Sequence, residues 1–245
     1  SEKGPWANSY DRWRNDNLTN RYQGVQFGYT SAGRYTSWND IWNYYGFKER
    51  DVLPGDYKYE DWIGDGEING QDEHPFAFDQ TPWLQFSLNA GLQWKNFDFN
   101  MLLQGSALGS MEYKEPLHEI WGKNGGGALT QFLDRWHPVD PKADPYDPST
   151  VWTSGHYAYT GRWAKNNSAF NRVSTAYLRL KSIELGYTFP KLKQIPNASL
   201  RVYANAYNLL TFTGVKFVDP EHPDDDLGRM YPLNKTYTLG VSLSF

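Results

Sequence analysis

The sequence predicts an all-β fold of antiparallel strands, and three observations support this class. Apolar and polar residues alternate with a period of two in several segments. The connections between these segments are short and long in turn. The composition is rich in aromatic rings, with 11 Trp, 18 Tyr and 13 Phe among 245 residues, which together with the small net charge indicates a folded chain.

The clearest strand is expected at 83–94. Every even position from Leu84 to Trp94 is apolar, whereas the odd positions carry polar residues or glycine. After Lys95 and Asn96 the alternation resumes over 97–107. A connection of only two residues predicts a tight β-hairpin.

The other strands follow the same pattern. In 173–189 the apolar residues occupy even positions up to Leu180 and odd positions from Ile183 onward. This change of phase predicts a β-bulge near Lys181 and Ser182. The remaining strands are expected at 198–211, at 235–245 and, more weakly, at 22–29.

The connections separate into two kinds. The short ones are 95–96 and 190–197, and the long ones are 30–82, 109–172 and 212–234. Because consecutive antiparallel strands run in opposite directions, the long loops all lie at one end of the sheet, as in outer-membrane barrels. Eleven residues tilted by about 45° project to about 25 Å, the height of the apolar band of such a barrel.

The strands are therefore predicted to form part of a large transmembrane β-barrel with long extracellular loops. In a barrel of this kind the apolar side chains face lipid and the polar side chains face the lumen. The residues expected to face lipid are Leu84, Phe86, Leu88, Leu92, Phe99, Leu103, Leu239, Val241 and Leu243.

Composition excludes several other classes. With 24 Lys and Arg against 28 Asp and Glu, the net charge is −4, which argues against a nucleic-acid partner. The chain has no cysteine, so disulfides and thiolate metal sites are excluded. Apolar runs are too short for a transmembrane helix.

Five segments resemble one family, the SusC/RagA group of TonB-dependent outer-membrane transporters of glycan- and peptide-scavenging bacteria. They are GDYKYEDWIGDGEINGQDEHP (55–75), LQWKNFDFNMLLQG (92–105), YLRLKSIELGYTFP (177–190), LRVYANAYNLLTFTG (200–214) and YPLNKTYTLGVSLSF (231–245). The resemblance implies that residues 1–245 form the C-terminal part of a 22-stranded barrel. It also implies a location in the outer membrane of a Gram-negative bacterium similar to the Bacteroidetes.

The resemblance further implies partners. Six strands cannot close around a plug, so the plug domain and the earlier strands are expected from another chain or from a missing part of the same protein. The complete transporter would import oligosaccharides or peptides, together with a SusD-like surface lipoprotein. The TonB complex would act through the missing N-terminal part. Phe245 resembles the terminal aromatic that serves as the barrel assembly signal.

A calcium loop is predicted in the long connection at 30–82. Oxygen-bearing residues and Gly66 fit the spacing of a twelve-residue calcium loop, although Ile63 occupies a position that normally carries a ligand. The alternative is an exposed Asp-Gly turn without metal. The candidate ligands of a structural Ca²⁺ are Asp61, Asp65, Glu67, Asn69 and Asp72.

The connection at 109–172 contains a group of aromatic residues that are candidates for substrate binding. Flat aromatic faces suit the C–H faces of sugars and the side chains of peptides. The alternative is that these rings form the small core that orders a long loop. The candidates are Trp121, Trp136, Trp152, Tyr157 and Trp163.

Two other functions stay open. A secreted soluble β-sandwich could bind glycans through the same rings. A glycoside hydrolase would need two carboxyl groups about 5 to 10 Å apart, and no motif singles out such a pair. The sequence therefore predicts no catalytic residue and no enzyme.

Overall fold

The computed structural model describes residues 23–44, 52–114, 117–118, 129–161, 164–165, 167–190, 198–222 and 228–245. The chain divides into two compact units. We call them the sheet unit, which takes the described residues of 80–110, 174–225 and 229–245, and the loop unit, which takes those of 1–79, 111–173 and 226–228.

The sheet unit contains one five-stranded antiparallel sheet. The strands are β5 (Leu84–Trp94), β6 (Phe97–Ala107), β11 (Tyr177–Phe189), β12 (Ser199–Thr213) and β13 (Thr236–Ser244). They follow one another in the order β13-β12-β11-β6-β5. In this sheet β5 and β13 are the two edges, each paired on one side only within the described residues.

The register of the sheet follows the sequence pattern. β5 and β6 pair without interruption from Leu84 opposite Ala107 to Trp94 opposite Phe97. The turn between them places Lys95 at φ 54°, in the left-handed region. In β11 the register shifts between Leu180 and Ser182 against both neighbours, which confirms the predicted β-bulge.

The two faces of the sheet differ in chemistry. One row on the apolar face runs across all five strands through Leu92, Phe99, Leu185, Ala204 and Leu239. The apolar side chains are exposed, including Leu88 at 57% and Leu239 at 84%. A soluble sandwich would bury such a face in its interior. The exposure fits a lipid-facing surface.

The loop unit is built from short elements. Among its described residues the strands are β1 (Gln26–Gly28), β2 (Ser31–Arg34), β3 (Tyr57–Tyr59), β4 (His74–Ala77), β7 (Ser110–Glu112), β8 (His137–Pro138), β9 (Trp152–Thr153) and β10 (Arg172–Ser174). They form two-stranded sheets, which pair β1 with β4, β2 with β3, β8 with β9, and β7 with β10. The helical elements of the described residues include α1 (Trp38–Asn43) and the 3₁₀ turns Gly70–Asp72 and Thr130–Leu133.

The strand expected at 22–29 differs from the prediction. It is present as the three residues of β1, and it pairs with β4 rather than with the large sheet. The reason is local, since the apolar alternation there covers only Val25, Phe27 and Tyr29. Among the described residues, no helix is long and apolar enough to cross a membrane.

Candidate functional site

A cavity of about 770 Å³ opens in the sheet unit. Its wall comes from residues of three neighbouring strands, most of them polar, together with residues before β5 and after β12. The volume falls in the range of about 300 to 1,000 Å³ that is typical of small-ligand sites. The lining residues are Gln80, Thr81, Pro82, Gln85, Phe86, Ser87, Leu102, Gln104, Gly105, Ser106, Thr175, Tyr177, Pro220 and Glu221.

The strand register places these side chains together. Gln85 of β5 lies opposite Ser106 of β6, and Ser106 lies opposite Tyr177 of β11. Two residues along, Ser87 lies opposite Gln104. Because alternate residues of a strand share a face, both rows lie on the polar face of the sheet. Gln104 Nε2 donates to the Tyr177 hydroxyl at 3.3 Å.

A group of four paired charges lies beside the cavity. Arg179 is only 2% exposed and donates to both carboxylate oxygens of Asp219 at 2.7 and 2.8 Å. Its Nη1 also lies 3.0 Å from Glu221, which accepts from Lys181 Nζ at 2.9 Å. Two cations and two carboxylates therefore neutralise one another, and the segment after β12 is held to the sheet.

The β-bulge lies within this cluster, since the register shift between Leu180 and Ser182 leaves Lys181 as the extra residue. The extra residue lets the strand continue with its apolar side chains still facing outward. Arg179 and Lys181 both reach the same carboxylate, Glu221.

A second charge network lies on the same sheet. Arg201 pairs with Asp98 and, at 2.6 Å, with Glu184. A Cβ atom added at Gly186 would lie 2.5 Å from the Asp98 carboxylate and 2.6 Å from the Arg201 guanidinium. The absence of a side chain at Gly186 thus leaves room for the ion pair, which lies directly over its backbone.

The loop unit has a core made mainly of aromatic rings. Tyr29, Tyr57 and Tyr59 are buried in it, and the Phe170 ring contacts two of them at 4.8 and 5.5 Å. Arg34 lies 4.1 Å above the Tyr57 ring. The guanidinium of Arg34 also donates to the carbonyl of Gly55 at 2.7 Å and to that of His156.

Asp56 is a buried carboxyl group of the loop unit, at 1% exposure. It accepts hydrogen bonds from the Leu53 amide at 2.9 Å and from the Thr160 hydroxyl at 2.8 Å. Burial raises the pKa of Asp56 to about 6, because these hydrogen bonds and the charge of Arg34 only partly offset the loss of solvation.

The predicted aromatic substrate residues have different environments. Tyr157 is buried and packs on Phe132 with ring centroids 4.5 Å apart, so it belongs to the loop core. Trp152 packs edge-on against Tyr159, and Trp136 packs against Gly55. A substrate role for Trp136 and Trp152 stays a prediction. Trp121 and Trp163 lie outside the described residues.

An aromatic array that the sequence analysis did not select lies on α1. Trp38 and Trp42 are one helical turn apart, with centroids separated by 6.0 Å, and Tyr146 lies 6.4 Å from Trp38. Trp42 and Tyr146 are well exposed. The i, i+4 spacing of the two tryptophans is visible in the sequence. It predicts neighbouring rings only if the segment is helical, and a helix of six residues within a long loop is difficult to recognise.

The predicted calcium loop forms a compact turn. The Asp61 carboxylate accepts from the amides of Gly64 and Gly66, both at 2.7 Å. Asp72 is buried and accepts from Asn69 at 2.9 Å. Burial raises the pKa of Asp72. Among the described residues, no group of three or more acidic or histidine side chains is arranged to hold a metal ion. Calcium binding by Asp61, Asp65, Glu67, Asn69 and Asp72 stays a prediction.

Phe245 follows β13 and is 95% exposed. Its ring is therefore accessible at the end of the strand that forms one edge of the large sheet. The role of Phe245 as an assembly signal stays a prediction.

Comparison with known proteins shows two related receptors. The chain is 28% identical over 211 residues to the TonB-dependent receptor P3 of Formosa agariphila, which covers 80% of this chain and 19% of that protein. It is 25% identical over 210 residues to the TonB-dependent receptor SusC of Bacteroides thetaiotaomicron, covering 84% of this chain and 19% of SusC. The chain thus spans about a fifth of the length of these relatives. No family model matches it.

A solved structure has a similar fold. The RagAB peptide transporter superposes with a TM-score of 0.58 at 21% identity, over 90% of this chain and 22% of the transporter chain. The fold and its exposed apolar face thus define a segment of an outer-membrane β-barrel, which the chain leaves open. The resemblance to the SusC/RagA group of TonB-dependent transporters is confirmed for this part of such a protein, and so is the outer-membrane location.

Proposed function

We propose that this chain forms one section of the wall of a transporter that imports oligosaccharides or peptides in a TonB-dependent manner. The observation that carries this proposal is the two-sided sheet, with an exposed apolar face and a polar face that lines a cavity. The remaining strands and the plug would come from the rest of the protein or from another chain. They would pair with the free edges of β5 and β13, because unpaired backbone groups in lipid cost several kcal/mol each.

A SusD-like surface lipoprotein is the proposed partner at the extracellular end. Similarity to SusC supports this choice. Cargo held between the lipoprotein and the loop unit would enter the barrel when the TonB complex acts on the plug. No covalent chemistry on the cargo is required, and the curated relatives are described as receptors rather than enzymes.

The test is an uptake measurement with fluorescent cargo in the source bacterium. Mixed oligosaccharides and mixed peptides are supplied separately to wild-type cells, to cells without TonB and to cells without the SusD-like surface lipoprotein. We expect uptake of one class, abolished without TonB and strongly reduced without the lipoprotein. Uptake that persists without TonB would contradict the proposal.

The alternatives predict other outcomes. A soluble β-sandwich would be recovered as a monomer without detergent, whereas we expect the complete protein to need detergent throughout. A glycoside hydrolase would shorten labelled oligosaccharides. We expect the saccharides recovered after incubation with the purified complex to be unchanged in length.

A further inference from the structure

The polar part of the cavity wall is mostly uncharged and hydrogen-bonding. Gln85, Ser87, Gln104 and Ser106 carry amide or hydroxyl groups, each of which offers donors as well as acceptors. Thr175 adds a buried hydroxyl that makes no hydrogen bond to the described residues. Hydrogen-bonding capacity is therefore left over at the wall of the cavity. Hydroxyl groups, which also donate and accept, are its natural complement.

The charges at the cavity are already satisfied. Glu221 is the one charged residue among the described lining residues, and it is paired with Lys181 and Arg179. Arg179, at 2% exposure, has little surface to offer an anion. A carboxylate or sulfate on a ligand would lose its hydration beside Glu221 without gaining a free cation, which is unfavourable.

Apolar and polar groups share the wall of the cavity about equally. Pro82, Leu102 and Pro220 supply aliphatic surface beside the amide and hydroxyl groups. A sugar presents C–H faces and hydroxyl groups side by side, so it matches a wall of both kinds, whereas an apolar peptide side chain would leave the polar groups of the wall without hydrogen bonds. The balance of polar and apolar groups therefore favours a sugar over a peptide.

Part of the site is held in place before any ligand arrives. The Gln104 amide is oriented by its hydrogen bond to the Tyr177 hydroxyl, and Tyr177 is itself only 8% exposed. Both rows of polar side chains stand on paired strands rather than on loops. Such preorganisation reduces the entropy lost on binding.

We propose that this cavity binds uncharged, polyhydroxylated cargo, a neutral oligosaccharide, and that Gln85, Ser87 and Gln104 determine the preference over anionic saccharides and peptides. This inference rests on the proposed transport function and names its cargo class. It assigns the selection to the polar face of the sheet unit.

The test uses the complete transporter complex purified in detergent. It is incubated with one mixture that contains three kinds of molecule. These are neutral oligosaccharides from several plant and algal polysaccharides, oligogalacturonates of the same lengths, and tryptic peptides. Retained molecules are identified by mass spectrometry after gel filtration. We expect neutral oligosaccharides to be retained. Retention of only oligogalacturonates or only peptides, or of nothing, would overturn the inference.

Variants locate the binding to the cavity. Gln85→Ala and Gln104→Ala should each reduce retention about fivefold, the effect of losing one hydrogen bond. Gln93→Ala is the matched control, because Gln93 lies on the polar face of β5 outside the cavity lining. Gln85→Lys should raise the retention of oligogalacturonates relative to neutral sugars. Equal retention by the Gln85, Gln104 and Gln93 alanine variants would show that the cargo binds elsewhere.

Two controls separate the possible failures. Heat-modifiable migration on gels reports whether each variant barrel has folded. If the wild type retains neutral sugars but uptake does not require TonB, the transport proposal fails and the cavity assignment stands. If uptake requires TonB but the cavity variants behave as wild type, the cavity assignment alone fails.

Discussion

In the sheet unit the apolar side chains are exposed, whereas in the loop unit the aromatic side chains form the buried core. Leu88 and Leu239 are more than half exposed, and Tyr57 and Tyr59 are at 9%. The sheet depends on lipid and on neighbouring strands for its stability. The loop unit must supply its own stability from ring packing, cation–π contacts and buried hydrogen bonds. Apolar side chains of one chain therefore stabilise its two units differently, by facing lipid in the sheet unit and by packing in a buried core in the loop unit.

The largest expected effect tests the apolar face. Leu88→Arg should destabilise the assembled barrel by about 2 to 4 kcal/mol, because it puts a cation into lipid near the middle of β5. Asn89→Arg, at the next residue and on the polar face, should have a much smaller effect. Unfolding of the complete transporter in lipid vesicles by denaturant measures both. Equal effects would mean that the two faces share one environment.

The next effect tests the loop core. Arg34→Ala should reduce the local stability of the loop unit by about 3 kcal/mol, because it removes two charged hydrogen bonds and the contact with the Tyr57 ring. Hydrogen exchange of 52–60 and 156–160 should accelerate, while exchange in β6 and β11 stays slow. Lys142→Ala, at an exposed position of the same unit, is the control. Equal acceleration in the sheet would show that the two units unfold together.

The pH dependence of the loop unit sharpens the comparison. The folded pKa of Asp56, about 6, lies above its ordinary value of 3.8, so the fold favours the protonated form. The loop unit should therefore be most stable below pH 4 with respect to this group. It should lose on the order of 2 kcal/mol as the pH rises to about 6, and change little above that.

Hydrogen exchange of the loop unit between pH 4 and 7, corrected for the intrinsic rate, measures this dependence. Asp56→Asn keeps an oxygen that accepts a hydrogen bond and should remove the dependence. If the variant keeps the wild-type pH profile, another group is responsible.

The smallest expected effect concerns calcium. If the Asp61 to Asp72 turn binds Ca²⁺, the dissociation constant should lie in the weak extracellular range, about 10⁻⁴ to 10⁻³ M. Millimolar Ca²⁺ should then slow hydrogen exchange of 61–72 by a small factor, and Asp65→Asn should abolish the slowing. The same exchange rate with calcium and with chelator would support the metal-free turn, in which Asp61 binds only backbone amides.

Much of the large sheet was predictable from the sequence, because the side-chain period of a strand is a local property. The alternation from Leu84 to Trp94 and the change of phase at Lys181 each report the face on which a residue lies, without knowledge of its neighbours. The same logic fails at 22–29, where three apolar residues were too few to distinguish a barrel strand from β1.

The loop unit was much less predictable. Trp136, Trp152 and Tyr157 were selected as aromatic residues of a long loop, and composition alone could not separate ring packing from ligand binding. Tyr157 became part of the core because Phe132 packs against it, a contact across 25 positions that no local pattern encodes.

The sequence by itself determined the strand faces, the bulge and the family resemblance. Each of these depends on residues that are close together in the chain, namely the alternation within one strand or the residues of one short segment. Only the tertiary structure decided which polar residues meet. Gln85, Gln104 and Tyr177 form one wall because strand pairing brings residues up to 92 positions apart into adjacent rows. The positive charge of Arg179 is balanced only in the folded chain, where Asp219 and Glu221 of the segment after β12 pair with it. Pairing between distant segments depends on the whole fold, and that is the physical reason the cavity and its charge balance appear only there.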